Sequence, residues 1–151
     1  MSDNFQQGPT SGVTPHLTVL DRRCREAIAF YERAFGAEQA MPPMPAGDMP
    51  GMAGDDRVMH AHLKLNGGSL MLNDAFPEFT PGDADHASAP AHTTLHLQVE
   101  DADAWFDRAT EAGATVAMPL ADQFWGDRYG RLKDPFGFTW SVGGPLNGEK
   151  A

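Results

Sequence analysis

The chain has 151 residues, enough for one compact domain or for two small fused modules with a real core. Eleven basic residues stand against 21 acidic ones, and the formal net charge of -10 argues against nucleic acid and anionic membranes as partners. One cysteine excludes an internal disulfide, and no apolar run approaches the roughly 20 residues of a membrane helix. We therefore expect a cytoplasmic protein whose partner is a small molecule or another protein.

The chain opens with a polar segment at 1–12, which we predict to be a disordered tail. Alternating apolar residues then predict a strand from Val13 to Leu20. An apolar stripe predicts a helix from Cys24 to Phe35, capped by Asp21 and ended by Gly36. Because Cys24 lies on that stripe, we predict a core residue and not a nucleophile.

The rest of the first half predicts three further strands. A short strand at Glu38 to Met41 precedes an irregular segment, Pro42 to Asp56, which is either a methionine-rich lid over a pocket or a flexible surface loop. The strands Arg57 to Leu65 and Ser69 to Asp74 flank the turn sequence Asn66-Gly67-Gly68, which is typical of a tight hairpin.

The second half repeats this order after a segment rich in Pro, Ala, Asp and Gly, 75–91, which we predict to be a connector. The repeated elements are a strand from His92 to Val99, a helix from Ala102 to Ala112, a strand after Gly113 that runs through Met118, and a hairpin of Tyr129 to Lys133 with Phe138 to Val142.

The two halves are copies of one βαβββ unit. Thr14–Asp21 matches Thr94–Asp101 in five of eight residues, and the later landmarks keep their order. Units that cannot bury an apolar face alone pack against each other. We predict an α+β fold with two tandem modules at 13–74 and 92–143, a C-terminal tail at 144–151, and a curved mixed sheet that forms a cup-shaped cleft.

Three motifs, CREAIAFYERAFG at 24–36, VMHAHL at 58–63 and FWGDRYGRLKDPFGFTW at 124–140, resemble the vicinal oxygen chelate superfamily, and within it the PhnB-like branch. That superfamily includes glyoxalases, bleomycin and fosfomycin resistance proteins, and extradiol dioxygenases. The resemblance spans nearly all of 13–143. It implies a curved eight-stranded arrangement with a cup, and commonly a homodimer.

In metal-using members, ligands come from the opening and closing strands of both modules, and a glutamate usually completes the site on the final strand. By this resemblance the corresponding positions are Thr14, Asn73, Thr94 and Ser141. The usual metal set is therefore absent, which argues against glyoxalase and dioxygenase chemistry. On this interpretation no cofactor is expected.

The histidines keep a metal hypothesis open, because a period of two places them on the polar faces of predicted strands: His16, His60, His62, His92 and His96. Three imidazoles, such as those of His16, His60 and His96, can hold zinc, manganese, nickel or iron with one position open. Alternatively, each histidine is a polar residue that hydrogen-bonds a neighbour. A third hypothesis makes His16 or His96 the general base of a metal-free enzyme.

The segment 124–138 combines a turn with a polar cluster. Proline and glycine in Asp134-Pro135-Phe136-Gly137 predict a turn. The side chains of Asp127, Arg128, Tyr129 and Arg131 can hold an anionic or carbonyl-bearing ligand, since guanidinium offers a fork of donors. A salt bridge between Asp127 and an arginine is the alternative. Phe124 and Trp125 either cap the cup or pack in the core.

These observations favour a small-molecule-binding protein without the usual metal set. The predicted pocket residues are Thr14, His16, His60, His62, Asn73, His92, Thr94, His96, Trp125, Tyr129, Arg131 and Ser141. One alternative is a divalent-metal-dependent lyase, isomerase or transferase of the glyoxalase or fosfomycin-resistance type. Another is a non-catalytic dimeric interaction protein. The sequence leaves open whether the chain is an enzyme.

Overall fold

The computed structural model describes residues 9–82 and 92–146. Its described residues divide into two compact units: the second contains Arg33–Phe35 and 92–146, and the first contains the remainder. Parts of the predicted tails and connector, namely 1–8, 83–91 and 147–151, lie outside the described residues. Within the described ranges no helix is long and apolar enough to cross a membrane.

The first unit contains one helix and a five-stranded mixed sheet. Its strands follow the order β1-β5-β4-β2, with β3 also paired to β4, and β1 runs parallel to β5. Its elements are β1 (His16–Val19), α1 (Cys24–Phe35), β2 (Glu38–Gln39), β3 (Met44–Pro45), a 3-10 turn (Ala46–Asp48), β4 (Val58–Leu65) and β5 (Gly68–Asp74).

The second unit repeats the plan with a four-stranded mixed sheet in the order β6-β9-β8-β7. Here β6 runs parallel to the last strand, as β1 does in the first unit. The elements are β6 (Thr94–Gln98), α2 (Ala102–Ala112), β7 (Thr115–Asp122), β8 (Asp127–Lys133) and β9 (Thr139–Pro145). The predicted α+β class and the tandem βαβββ order are confirmed, and each module has a hydrogen-bonded sheet of its own.

The core of each unit follows the predicted apolar periodicity. In α1 the stripe that includes Cys24, Ile28 and Tyr31 is buried, and Gly36 ends the helix in the left-handed conformation. In the second unit, Phe106 of α2 and Trp140 of β9 are buried. The predictions agree with the structure because the spacing of apolar residues along the sequence indicates which side chains are buried.

The beginning of α1 differs from the prediction. Arg23 occupies the N-cap position, not Asp21, and it makes no side-chain capping hydrogen bond. Instead the backbone N–H of Cys24 donates to Oδ1 of Asp74, at the end of β5, over 2.9 Å. The other oxygen of that buried carboxylate accepts from the backbone N–H of Val58 over 2.7 Å. One carboxylate therefore joins the helix, β4 and β5.

The segment Pro42 to Asp56 is not the irregular stretch that its composition suggests. It contains β3 and the 3-10 turn, and Ala46 N–H donates to the carbonyl of Arg57 over 2.7 Å. The guanidinium of Arg57 pairs with Asp55 over 2.6 Å and also with Glu78. Pairing with β4 therefore gives part of the segment regular structure, and the lid and surface-loop hypotheses both stay predictions.

Several strand ends also differ from the sequence prediction. β1 begins at His16 and not at Val13, while β7 continues to Asp122 and β9 to Pro145. Val13 is fully exposed, so its apolar side chain is not buried against the sheet. These ends depend on pairing with neighbouring strands, which the alternation of apolar residues along a single strand does not indicate.

We predict that Asp74→Ala lowers the free energy of unfolding by about 2–4 kcal/mol, because it leaves two buried N–H groups without their acceptor. Urea unfolding followed by circular dichroism measures the change. Asp56→Ala is the matched control: that carboxylate pairs with Arg22 but its side chain is 83% exposed, so we expect a change within about 0.5 kcal/mol. Equal losses in both variants would contradict the structural role of Asp74.

Candidate functional site

The second sheet has one apolar and one polar face. Side chains alternate along strands, so Leu97, Leu132 and Trp140 are buried on the face that α2 covers. The opposite face, called here the β6–β9–β8 face, carries Thr94, His96, Gln98, Tyr129, Arg131, Lys133, Thr139, Ser141 and Gly143. In register, His96 is paired with Ser141, and Ser141 is paired with Arg131 on its other side.

The imidazole of His96 is held at both nitrogens. Nδ1 lies 2.7 Å from Oγ of Ser141, and Nε2 lies 2.8 Å from Oε1 of Gln98. An amide oxygen only accepts, so Nε2 donates to Gln98. The two bonds therefore fix the orientation of a histidine that is exposed on the sheet.

Gly143 makes room for this histidine. A Cβ atom at Gly143 would lie 2.9 Å from Cε1 of His96 and 3.3 Å from Oε1 of Gln98. Contacts near 2.9 Å are closer than carbon atoms tolerate, so any side chain here displaces the imidazole. The glycine is needed for close approach and not for an unusual backbone angle.

Arg131 lies beside the histidine with an incomplete set of hydrogen bonds. Its Nη2 donates to Oγ1 of Thr94 over 2.6 Å. Its Nε is buried and has no hydrogen-bond partner among the described residues. An unmatched buried donor is uncommon and costs about 1–3 kcal/mol, so this atom is a candidate contact for a ligand oxygen.

Arg128, three residues earlier in the chain, forms its hydrogen bonds with carboxylates of the same unit. Its guanidinium makes two hydrogen bonds to Asp103 of α2, of 2.9 and 2.8 Å, and one of 3.3 Å to Asp122. These bonds, with Asp103 first, raise the pKa of Arg128. Of the two arginines predicted to hold a ligand, Arg128 is therefore a structural residue, although its partner is not the predicted Asp127.

An aromatic series continues from the histidine along the same face. The Tyr129 ring stacks on His96 with centroids 6.0 Å apart, and Trp125 meets Tyr129 edge to face at 5.7 Å. Trp125 is 49% exposed and Phe124 is 97% exposed. Their exposure argues against packing in the core, and capping of the predicted cup stays a prediction.

The first sheet brings another part of the predicted pocket together. His16 and His60 meet edge to face with centroids 6.5 Å apart, and Thr18 donates to Oδ1 of Asn73 over 3.2 Å. Partial burial, followed by the nearby rings of His16 and His62, lowers the pKa of His60. The His60 imidazole is therefore favoured in its neutral form.

Three other predicted pocket residues are either buried or outside the strands. His62 is fully buried, and its Nε2 lies 2.9 Å from Oγ of Ser69, so the expectation of an open imidazole is wrong. His92 lies before β6 and outside the strand, and Thr14 lies before β1. Alternation predicts an accessible His62 ring on the polar face of β4, but the ring is buried. Burial is tolerated because the Ser69 hydroxyl gives the ring a hydrogen-bond partner.

The side chains present do not fit the metal site of the superfamily. In 9–82 and 92–146 no group of three or more His, Cys, Asp and Glu side chains converges as a metal-ligand set. At two of the corresponding positions the oxygens are already engaged: Thr94 accepts from the Arg131 guanidinium, and the Ser141 hydroxyl bonds His96. A cation bound at Thr94 would also face the positive charge of Arg131.

Two other sequence predictions concern structure. Cys24 is buried, and burial followed by the Asp74 charge raises the pKa of its thiol to about 12, as expected for a core residue. Asp134 organises the predicted turn: it accepts from the backbone N–H groups of Phe136 and Phe138 and from Nε1 of Trp140, over 2.9, 3.0 and 2.8 Å. The turn prediction is confirmed, with Gly137 at a φ of 95°.

Sequence reasoning missed Gly143 as a neighbour of His96. Alternation does place Gln98, two residues after His96, on the same polar face. Gly143 carries no chemical group, so only the strand register reveals its contact with the histidine.

Comparison with known proteins gives the family. The family model of the Glyoxalase/Bleomycin resistance protein/Dioxygenase superfamily matches residues 14–142. The chain belongs to this superfamily. The predicted resemblance is therefore confirmed at the level of family and fold.

Relatives of this superfamily member occur in several bacteria. The uncharacterized protein Rv0887c of Mycobacterium tuberculosis is 43% identical over 93% of this chain and 82% of its own length. Protein YjdN of Escherichia coli is 30% identical over 86% of this chain and 92% of its own.

Solved structures share the fold. Protein PA1353 from Pseudomonas aeruginosa has a TM-score of 0.71 and 30% identity, over 91% of this chain and all (100%) of that chain. A PhnB protein from Bacillus cereus has a TM-score of 0.64 over 90% of this chain and 99% of that chain; at 23% identity it supports the fold alone.

We predict that Gly143→Ala displaces the His96 imidazole and breaks at least one of its two hydrogen bonds. Long-range 1H–15N spectra should then show changed shifts at Nδ1, Nε2 or both nitrogens of the ring. Gly68→Ala is the control, because its Cβ meets only the Leu65 carbonyl, at an ordinary 3.6 Å. An unchanged His96 spectrum in Gly143→Ala would contradict this account of the site.

Proposed function

We propose that this member of the superfamily is a small-molecule-binding protein whose ligand lies on the β6–β9–β8 face. The observation that carries the proposal is the guanidinium of Arg131, which Thr94 orients while its buried Nε has no partner among the described residues. Nε is covered in the structure, so a ligand oxygen reaches it only when the covering groups move. It then supplies the missing acceptor and removes a cost that the free protein bears.

The contrast with other partly buried arginines supports a ligand at this position. Arg57 bonds Asp55 and Glu78, and Arg128 bonds Asp103 and Asp122, so carboxylates surround both guanidinium groups. Arg131 instead bonds a neutral hydroxyl. Among the described residues no carboxylate pairs with Arg131, although the chain has a net charge of -10. An acceptor supplied by a bound ligand best explains this positive charge.

The neighbouring groups support binding and not packing. His96 and Gln98 are exposed on the sheet, and Trp125 offers half of its surface at the end of the aromatic series. A polar surface with an aromatic edge is typical of small-molecule sites.

The proposal covers binding and includes no reaction step. Both ring nitrogens of His96 already have hydrogen-bond partners, Ser141 and Gln98, so neither is available to act as a base in this arrangement. No observation favours the metal-dependent lyase, isomerase or transferase, or the interaction protein. A homodimer and a cytoplasmic location remain part of the proposal: the family resemblance supports the first, and a single buried thiol agrees with the second.

We predict that a broad panel of metabolites and drugs contains at least one compound that raises the melting temperature of the folded protein. NMR shift mapping with that compound should perturb backbone amides of β6, β8 and β9. Arg131→Met should weaken binding by roughly tenfold or more, since a charge-assisted bond is lost. Arg25→Met, an exposed position on α1, is the control and should bind normally.

Two results would overturn the proposal. One is a panel without a single binder to protein that NMR shows to be folded. The other is a binder whose shift changes avoid the β6–β9–β8 face and whose affinity is unaffected by Arg131→Met.

A further inference from the structure

We propose that the ligand is a planar aromatic anion, with a carboxylate or equivalent pair of oxygens at Arg131 and a flat ring beside Tyr129 and Trp125. This inference rests on the proposed function and adds the chemical class of the ligand. It follows from the order in which charge, hydroxyl groups and aromatic rings succeed one another along β8 and its neighbours.

One end of the face provides positive charge and hydroxyl groups. Arg131 and Lys133 are two residues apart on β8, so both project to the same side. The residues paired with them in register are Ser141 and Thr139 of β9, and Thr94 of β6 is paired with Thr139. A guanidinium edge matches two oxygens of one planar group, which favours a carboxylate over a single hydroxyl.

The hydrogen bonds already present leave donors for the ligand at this end. The Ser141 hydroxyl is hydrogen-bonded to His96 Nδ1, and the Thr94 oxygen accepts from Arg131. Arg131 Nε is a donor without an acceptor among the described residues. A ligand that brings acceptors is therefore favoured over one that brings only donors, and a negative charge strengthens the bond.

The other end of the face is aromatic. Tyr129 precedes Arg131 by two residues, which separates their Cα atoms by about 7 Å. That spacing suits a carboxylate attached directly, or through one carbon, to an aromatic ring. Trp125 contacts the Tyr129 ring edge to face and leaves about half of its surface exposed, at 49%, so it can flank a flat ligand.

The carboxylate of Asp127 is on the β6–β9–β8 face, at the opposite end from Arg131. Asp127 is paired in register with Pro145 and lies four residues from Arg131, about 13 Å along the strand. A short aromatic carboxylate reaches Arg131 without approaching this residue. The arrangement therefore sets an upper limit on the length of the ligand as well as its direction.

The test uses three probes that differ in one feature each. Indole-3-acetate has the ring and the charge, indole-3-acetamide keeps the ring without the charge, and hexanoate keeps the charge without a ring. We expect 15N shift titrations to give indole-3-acetate at least a roughly tenfold lower Kd than either of the others. Its shift changes should centre on Tyr129, Arg131 and Ser141.

Variants separate the two ends of the site. Arg131→Gln should remove the advantage of the acetate over the acetamide, and Arg131→Lys should restore only part of it, because lysine is a point charge without the fork. Trp125→Ala should weaken both indole probes by a similar factor. Phe79→Ala is the control, since Phe79 is an exposed phenylalanine of the first unit, at 65%, and should change binding less than twofold.

The failure of this inference is distinguishable from failure of the proposed function. Equal affinity for acetate and acetamide, or for acetate and hexanoate, overturns the aromatic-anion class. So does the absence of binding by all three probes to protein that binds another panel compound on the same face. A protein that binds neither the probes nor any panel compound overturns both.

Discussion

The parallel pairing of the first and last strand of each module is the constraint on which the rest of the structure depends. It joins β1 to β5 and β6 to β9, elements that are more than 40 residues apart in the chain. Because side chains alternate, this register decides which groups meet: His96 meets Ser141, and Gly143 lies beneath the histidine ring. In the first module the same pairing brings Asp74 to the start of α1.

The site shows how a member of this superfamily can fix positive charge without its usual ligand set. Where metal-using members provide ligands, this chain has Thr94, hydrogen-bonded to a guanidinium, and Ser141, hydrogen-bonded to an imidazole. The fixed charge in our proposal is the side chain of Arg131. A guanidinium binds oxygens but activates no water and accepts no electrons, so the arrangement favours recognition over the chemistry of metal-using relatives.

Much of the fold could be predicted from the sequence, because periodicity and an internal repeat report burial directly. The α1 stripe, the Asn66-Gly67 turn and the Asp134 turn are each local patterns, and the structure agrees with them. The cap of α1 could not be predicted, since its carboxylate comes from 50 residues away. His62 was misplaced for a similar reason: alternation gives a face, but only neighbours decide whether that face is covered.

The site was partly predictable. The sequence indicated His96, Tyr129, Arg131 and Ser141 but could not distinguish Arg131 from Arg128, since both are arginines near one another on a predicted strand. The distinction comes from α2, which supplies Asp103 to one guanidinium, while β6 supplies only a threonine to the other. In our proposal, ligand binding therefore depends on Arg131, the one of these two arginines that has no carboxylate partner among the described residues.

The most direct test of the account is the Nε–H signal of Arg131 in a 1H–15N spectrum of the protein, assigned by comparison with Arg131→Lys. We expect a signal that exchanges slowly with water before any ligand is added, because the atom is buried. It should move downfield when a carboxylate ligand binds, because a charge-assisted hydrogen bond forms. A signal that exchanges as fast as those of exposed arginines, and that no ligand shifts, would contradict the central claim.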